Sequence, residues 1–387
     1  MSLSSRGLAR LRETLTRHVE NGACPGLVSV IHRRGETQVD VIGDVRRDTI
    51  FRISSMTKPI TAALAMVLVD QGRLRLDDPV DELLPELADR RVLTSIDAPL
   101  DDTVPADRPI TLRDLLTFRM GWGGIFAPPG TYPVQAAAAE LKLGLGDGPP
   151  QPAGPPEPDE WMRRFGTLPL LCQPGQRWMY HVGSEVLGVL LARATGKSLG
   201  EAMREHLFEP LGMIDTGFHV AAGQLDRLAV SYVDGQVFDA VEGQWSRPPA
   251  FEAGGGGLVA TADDYLAFAT MLLANGKHGR DRVLSRPAVQ LMTTDQLTPE
   301  QHANDGFWPG FFGAHRGWGF GVQVVTGRDQ LWATPGRYGW DGGLGTTWHN
   351  DPAEELTAIL MTQRAAFPLN SPLYLDFWNG VYAALED

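Results

Sequence analysis

The sequence has only two cysteines, no long apolar run and no basic stretch, and each shortage excludes a class of protein. Cys24 and Cys172 are too few for a disulfide framework, and they do not form a Cys-x-x-Cys motif for a metal or redox centre. No run of about 18 apolar residues is present, so we expect no membrane-spanning helix. The net charge is −13, which argues against nucleic acid or an anionic membrane surface as a partner.

Signs of a metal site, a phosphate loop and a signal segment are also missing. The nine histidines show no spacing such as His-Glu-x-x-His, so we expect neither a metal nor another cofactor. The glycines at 254–257 lack the Gly-Lys-Ser/Thr ending of a phosphate loop and predict a close-packed turn near a cleft. The N-terminus leads into charged amphipathic sequence rather than an apolar signal region, which predicts a cytoplasmic protein.

Strand-like segments lie at both ends of the chain, and helical ones lie between them. The strand-like segments are 27–32, 37–42, 319–325, 345–350 and 356–362. Residues 5–21 and 371–385 are predicted to be helices. The 387 residues are 43% hydrophobic, enough for a sizeable core. The simplest packing is an α/β (α+β) fold, in which an antiparallel sheet built from both termini is flanked by the terminal helices and carries an inserted, mostly helical domain.

We predict a sheet domain from residues 1–75 and 286–387, and a helical domain from 76–285. The predicted helices of the second domain include 111–120, 160–165, 184–195, 199–211 and 263–274. A Pro/Gly-rich insert at 127–158 is either a lid over a site or a tolerated surface insertion. The cleft between the two domains is the expected ligand site.

Residues 51–59 place a hydroxyl and an amine at the head of a helix that is apolar on every side. Pro59 belongs in the first helical turn, which makes Ser54 or Ser55 the expected N-cap. Ser55 and Lys58 then lie one turn apart on the same face. A serine nucleophile needs a base beside it, and burial can lower the pKa of a lysine enough to serve. The alternative is a capping serine and a solvated lysine, but the buried helix favours the chemical interpretation.

Two other features have competing interpretations. Residues 196–200 spell Gly-x-Ser-x-Gly, but a predicted helix precedes them, so Ser198 is expected to cap the next helix. A set of five aromatic residues could line an acyl pocket or pack in the core. Its members are Phe307, Trp308, Phe311, Phe312 and Trp318.

With Ser55 and Lys58 placed on this architecture, the chain resembles the serine β-lactamase and penicillin-binding-protein superfamily. It is most similar to the class C-like branch, and within it to the family VIII carboxylesterases. The matching segments are 51–58, 74–80, 110–117, 207–213 and 256–264, so the resemblance is spread over most of the chain. They are specific for the superfamily but weak on the substrate, because this fold hosts several acyl-transfer chemistries.

The resemblance implies a second and a third site motif. Tyr180 stands at the tyrosine of the family's Tyr-x-Asn motif and would share the proton transfers with Lys58, but Val182 replaces the asparagine that contacts a substrate amide. The third motif, expected at the start of a strand, is Trp340-Asp341-Gly342-Gly343, in which Trp340 replaces the family lysine.

By the same resemblance, Trp340, Asp341 and Gly342 would contact the substrate. The backbone N–H groups of Ser55 and Gly343 would form the oxyanion hole. Arg337 could supply the positive charge that the third motif has lost, although a solvated surface arginine is the expectation.

These residues imply a serine hydrolase that forms an acyl-enzyme on a small-molecule ester or amide. Esters are favoured, because Val182 and Trp340 remove two groups that contact lactams. Within the same chemistry, the alternatives are a weak β-lactamase, a peptidase acting on D-amino acids and an acyltransferase. A non-catalytic scaffold of this fold is the alternative of another class. The sequence does not decide whether Lys58 or Tyr180 is the base.

Overall fold

The computed structural model describes residues 3–146, 148–303, 310–366 and 371–386. The described helices are α1 Ser5–Glu20, α2 Thr57–Asp70, α3 Leu112–Leu116, α4 Pro133–Glu140, α5 Pro158–Phe165, α6 Val182–Thr195, α7 Leu199–Met203, α8 Glu209–Leu211, α9 Ala262–Leu273, α10 Arg286–Met292, α11 Pro299–Ala303 and α12 Pro372–Ala383. None of these described helices is long and apolar enough to cross a membrane.

The strands of the described chain form one large sheet and four small two-stranded ones. They are β1 Gly26–Arg33, β2 Glu36–Gly43, β3 Phe51–Arg52, β4 Arg91–Leu93, β5 Thr103–Pro105, β6 Ser231–Val233, β7 Gln236–Asp239, β8 Val259–Ala260, β9 Lys277–His278, β10 Asp281–Arg282, β11 Arg316–Trp318, β12 Gln323–Val325, β13 Tyr338–Gly342, β14 Thr346–Asp351 and β15 Leu356–Thr362.

The large sheet joins the two ends of the chain. Its order is β11-β12-β13-β14-β15-β1-β2, and every neighbouring pair is antiparallel. The pairing of β1 with β15 joins the two ends of the chain and sets Leu27 opposite Thr362 and Arg33 opposite Leu356. The prediction of an antiparallel sheet built from both termini is confirmed.

Helices cover both faces of this sheet. Successive side chains of a strand point to opposite faces, so one strand can contact helices on both sides. On β1, Leu27 and Ile31 pack in the cluster that contains Leu11 of α1 and Trp378 of α12. The residues that alternate with these two along β1 point to the other face, where they pack in the main core with residues of α2 and α9. Strand β1 is therefore buried along almost its whole length, as expected for a strand covered on both faces.

Several predicted elements have different bounds in the structure. Helix α3 begins at the predicted capping box of Thr111 and Asp114 but ends at Leu116 instead of Met120. The predicted strand 319–325 is a strand only from Gln323. Gly321 has a positive φ of 71°, which is not a strand conformation, and a Cβ at this position would lie 2.9 Å from the Lys58 carbonyl oxygen. The division into a sheet domain and a helical domain at residues 75 and 286 stays a prediction.

Candidate active site

Ser55 lies in a short 3-10 turn, Ser54–Met56, that runs directly into α2. The expected N-cap at Ser54 or Ser55 is therefore wrong: the cap position is Met56, and no side chain caps it. The Ser55 hydroxyl instead accepts a hydrogen bond from Lys58 Nζ at 2.9 Å. The one-turn spacing predicted from the sequence thus brings the hydroxyl and the amine into direct contact.

Lys58 is fully buried, and its ammonium group has three hydrogen-bond partners. Besides Ser55, these are the Gly255 carbonyl at 2.5 Å and His181 Nδ1 at 3.0 Å. Burial lowers the pKa of Lys58 from 10.5 to about 7, although the negative charge of Glu185 opposes this change. A large fraction of Lys58 is therefore neutral near pH 7 and able to accept a proton.

The phenol of Tyr180 lies beside the same two groups. Lys58 Nζ is 4.6 Å from the centre of its ring, and Trp340 Nε1 donates a hydrogen bond to Tyr180 Oη at 2.8 Å. Burial raises the pKa of Tyr180 above its ordinary value of 10, and the hydrogen bonds with Ser55 and Trp340 only partly offset this effect. Tyr180 is consequently a neutral phenol near pH 7, suited to donate a proton rather than to remove one.

The third motif lies at the end of a strand and not at its start, as the sequence had suggested. Trp340, Asp341 and Gly342 are the last residues of β13, and Gly343 follows them. A Cβ on Gly342 would lie 2.3 Å from the Ile53 carbonyl, so only glycine fits this approach to the segment before Ser55. The strand therefore brings the motif against the Ser55 turn.

Asp341 is held by three donors from the sheet and from α12. Tyr374 donates its hydroxyl at 3.1 Å, Thr347 also donates its hydroxyl, and His349 Nε2 lies 3.3 Å from Asp341 Oδ1. These contacts leave the carboxylate with a fixed orientation at the cavity wall. The oxyanion-hole assignment to the N–H groups of Ser55 and Gly343 stays a prediction, as do the substrate contacts.

Arg337 is buried, and the expectation of a solvated surface arginine is wrong. Its guanidinium lies 4.8 Å from the ring of Trp332 and 4.1 Å from the ring of Trp378. Such stacking stabilises a cation away from water. Arg337 is not among the described residues that line the cavity, so it does not restore the charge that the third motif has lost.

The site opens into a cavity of about 340 Å³. Its floor and one side include Ser55, Tyr180 and Gly343. The Pro/Gly-rich insert supplies another wall, through Leu143, Gly144, Leu145, Gly146, Gly148, Pro149, Pro150, Gln151, Pro152 and Pro155. The insert therefore contacts the space that a substrate would occupy.

Charged side chains that line the cavity are acidic. Glu185, Asp234 and Asp341 contribute to the wall, and no lysine or arginine does so among the described lining residues. Phe311, Phe312 and Trp318 do not line it either but pack with Trp178 in a buried cluster. Core packing is thus the correct alternative for these three residues, whereas Phe307 and Trp308 lie outside the described part of the chain.

His181 is the site residue that the sequence did not single out, because the middle position of Tyr-x-Asn is unspecified. It contacts Lys58 through Nδ1 and lies 3.2 Å from Glu185 Oε1 through Nε2. A signal for the second contact was present, since residues four apart at the start of a helix lie on one face. Ser198, in contrast, caps α7 as expected and lies away from the site.

A serine hydroxyl bonded to a buried lysine of lowered pKa, with a neutral phenol beside them, defines a serine enzyme of the acyl-transfer class. The Beta-lactamase family model matches residues 11–373, and the chain belongs to this family. The resemblance found from the sequence motifs is confirmed.

The chain is similar to two curated proteins along most of their length. It is 39% identical to Protein Rv1367c of Mycobacterium tuberculosis over 366 residues, which cover 88% of this chain and 86% of the relative. It is 30% identical to Esterase EstB of Burkholderia gladioli over 418 aligned positions, which cover 99% of this chain and 97% of the relative.

Among solved structures, the fold is similar to that of EstCE1, described as a hydrolase with promiscuous acyltransferase activity. The TM-score is 0.78 at 24% sequence identity, and the match covers 97% of this chain and 99% of the other.

Proposed function

We propose that the protein is a carboxylesterase that works through an acyl-enzyme on Ser55. The observation that carries the proposal is the contact of 2.9 Å between Ser55 Oγ and the Nζ of fully buried Lys58, at the floor of a cavity with a largely apolar wall. The similarity to Esterase EstB supports ester chemistry.

In this mechanism Lys58 is the base of the first step. As Ser55 Oγ attacks the ester carbonyl carbon, its proton passes to the neutral amine of Lys58. The carbonyl oxygen becomes an oxyanion, which the backbone N–H groups of Ser55 and Gly343 stabilise. The tetrahedral intermediate then expels the alcohol, which takes a proton from the Tyr180 hydroxyl. The Lys58 ammonium then gives its proton to the phenolate of Tyr180, whose ring lies beside it, and both groups regain their starting state.

Hydrolysis of the acyl-enzyme repeats these steps with water in place of the serine. Lys58, neutral again, accepts a proton from the attacking water, and the acid product leaves as the Ser55 hydroxyl re-forms. The lowered pKa of Lys58 suits it to this work near pH 7. The raised pKa of Tyr180 makes the phenolate a minor species, so Lys58 and not Tyr180 is the base.

The wall of the cavity favours a neutral ester over a β-lactam. β-Lactam substrates carry a carboxylate, and the charged side chains that line this cavity are Glu185, Asp234 and Asp341. Like charges at short range disfavour such a ligand. We therefore propose an uncharged ester with an apolar acyl group, which would contact the insert through Leu143 and Leu145.

We also propose a cytoplasmic setting. Cys24 and Cys172 are buried and free, which suits a reducing compartment. Cell fractionation with an antibody against the native protein would test this part of the proposal.

A hydrolysis panel tests the function. It compares p-nitrophenyl acetate, butyrate and octanoate with nitrocefin and a D-alanyl p-nitroanilide, on the wild type and on Ser55→Ala. We expect turnover of the p-nitrophenyl esters that disappears in Ser55→Ala, and slower cleavage of nitrocefin. Faster nitrocefin cleavage would show a β-lactamase. If no substrate is turned over in a Ser55-dependent manner, the esterase proposal fails, and alcohol acceptors would then be added to test acyl transfer.

A further inference from the structure

His181 links the Lys58 amine to a carboxylate. Its Nδ1 lies 3.0 Å from Lys58 Nζ, and its Nε2 lies 3.2 Å from Glu185 Oε1. The Glu185 side chain is only 7% exposed. One ring thus bridges the base of the proposed mechanism and a buried negative charge on the first turns of α6.

The backbone of His181 is strained in a way that holds this bridge. Its φ of 84° and ψ of −64° form a tight turn in which the Val182 N–H approaches the Tyr180 carbonyl at 3.2 Å. This γ-turn geometry is rare, and a non-glycine residue adopts it only where the surroundings enforce it. The turn directs the side chains of Tyr180 and His181 toward the Lys58 amine, and both side chains contact it.

The valence of the amine shows what the bridge can do. A neutral lysine has two N–H donors and one lone pair. The Gly255 carbonyl and His181 Nδ1 can each accept one N–H, which leaves the lone pair for the Ser55 hydroxyl. His181 can accept at Nδ1 only when its own proton is on Nε2, and Glu185 stabilises that tautomer by accepting the Nε2–H bond.

We propose that His181 and Glu185 are a pair of positioning residues that orient the lone pair of Lys58 toward the Ser55 hydroxyl. The pair acts through Lys58 and does not touch the reacting carbon. This inference rests on the proposed function in one respect, namely that Lys58 removes the proton from Ser55.

The groups that face the Lys58 amine or act on the neighbouring Tyr180 come from five parts of the fold. Its own segment contributes the Ser55 hydroxyl, and the segment leading into α6 contributes the Tyr180 ring, 4.6 Å away, and His181. The turn at 253–257 contributes only the Gly255 carbonyl. Strand β13 contributes the charge of Asp341, which acts on Tyr180. Glu185 is the charged group that acts on Lys58 itself.

Glu185 also acts on the pKa of Lys58 through its charge, and this effect can be measured separately from the orientation of the lone pair. Its carboxylate opposes the lowering of the Lys58 pKa by burial. Burial and the Lys58 charge also lower the pKa of His181 from its ordinary value, which favours the neutral imidazole. Removing the carboxylate should then lower the pKa of Lys58 further and leave the imidazole neutral.

The test compares four variants by the pH dependence of kcat/KM for p-nitrophenyl butyrate. In Glu185→Gln we expect the acid limb to move to lower pH by about 0.5 to 1 pH unit, since an opposite charge near a lysine is lost. Glu209→Gln, which removes an exposed carboxylate from α8, is the matched charge control and should not move the limb.

His181→Gly and His181→Asn separate positioning from folding, because both residues tolerate a positive φ. Glycine has no acceptor for Lys58, and we expect a fall in kcat/KM of about 10- to 100-fold, a fraction of the usual contribution of a general base. Asparagine can place Oδ1 near the site of Nδ1 and should restore most of that loss. If glycine and asparagine perform equally, His181 does not position Lys58 and the inference is wrong. If Glu185→Gln leaves the acid limb in place, the charge of Glu185 does not act on Lys58, and that part of the inference is wrong.

A fluorophosphonate probe separates this inference from the ester proposal, since its rate of labelling reports the nucleophilicity of Ser55 without any ester. If esters are not hydrolysed but Ser55 is labelled, the same shift in Glu185→Gln and the same order of the His181 variants support the pair while the esterase proposal fails. If esters are hydrolysed but neither readout responds to the variants, the pair is refuted and the esterase stands. Absence of both turnover and labelling refutes both, because Ser55 is then not activated.

Discussion

Replacing Lys58 by methionine should abolish activity and yet stabilise the protein, most strongly at low pH. Methionine has a similar length and no charge, so it fits the buried site without a cavity. Wild-type Lys58 has a pKa near 7 in the folded protein, against 10.5 in the absence of burial. The unfolded chain therefore binds more protons between these two values, and wild-type stability falls as the pH falls from about 10.5 to about 7.

The size of the effect follows from the same values. At pH 6 burial of Lys58 as an ammonium costs about 5 kcal/mol of folding free energy. At pH 9.5 the folded lysine is neutral, and its burial costs about 1 to 2 kcal/mol, because the unfolded lysine must lose its proton. Loss of the hydrogen bonds to Gly255 and His181 offsets part of the gain, by about 1 to 3 kcal/mol, but equally at both pH values. The stabilisation by Lys58→Met should thus be larger at pH 6 than at pH 9.5 by about 3 kcal/mol.

The assay is thermal unfolding of wild type, Lys58→Met and Ser55→Ala at the two pH values. For 387 residues, the entropy of unfolding near the Tm is about 0.8 kcal/mol per degree, so the difference corresponds to about 4 °C. Ser55→Ala is inactive but keeps the lysine, and its Tm relative to wild type should not depend on pH in this way. A Lys58→Met advantage that stays constant or grows toward pH 9.5 would refute the lowered pKa of Lys58.

Two further predictions concern β13 and its end. Trp340→Phe removes the N–H group that donates a hydrogen bond to Tyr180 Oη at 2.8 Å, and this loss should lower kcat about 5- to 10-fold. The decrease in kcat should be larger for an alkyl ester than for a p-nitrophenyl ester. Equal decreases for the two esters would contradict proton donation by Tyr180. Gly342→Ala places a Cβ 2.3 Å from the Ile53 carbonyl, whereas nothing lies within 4 Å of a Cβ on Gly343. Overpacking by Gly342→Ala should cost about 1 to 3 kcal/mol or more, which lowers the Tm by about 1 to 4 °C or more. Gly343→Ala should leave the Tm within about one degree. Similar Tm values for the two variants would show that the close approach at Gly342 is not required.

Local patterns in the sequence were sufficient for the parts of the site that depend on one segment. The helical repeat determines that Ser55 and Lys58 share a face, and the all-apolar helix that contains Lys58 determines that the lysine is buried. The antiparallel sheet also followed from the strand-like segments at both ends of the chain. Burial of Lys58, and hence the direction of its pKa change, could be expected from these features alone.

Capping and strand position were less well determined, because they depend on how neighbouring segments pack. The Ser55 turn continues into α2, so the hydroxyl is turned toward Lys58 and does not cap the helix. The glycines of the third motif lie at the end of β13, where Gly342 can approach Ile53. Arg337 looked like a surface residue, yet Trp332 and Trp378 enclose it from two other segments.

Only the tertiary structure revealed His181 and the wall formed by the insert. His181 is 123 positions from Lys58, and no periodicity of helix or strand relates residues that far apart. The insert between 127 and 158 has no sequence pattern that distinguishes a cavity wall from a surface loop, and its position against Ser55 and Tyr180 follows from where the chain packs. The sequence thus determined that Ser55 and Lys58 lie together, because they are on one helical turn, whereas long-range packing decided that His181 contacts Lys58 and that the insert lines the cavity.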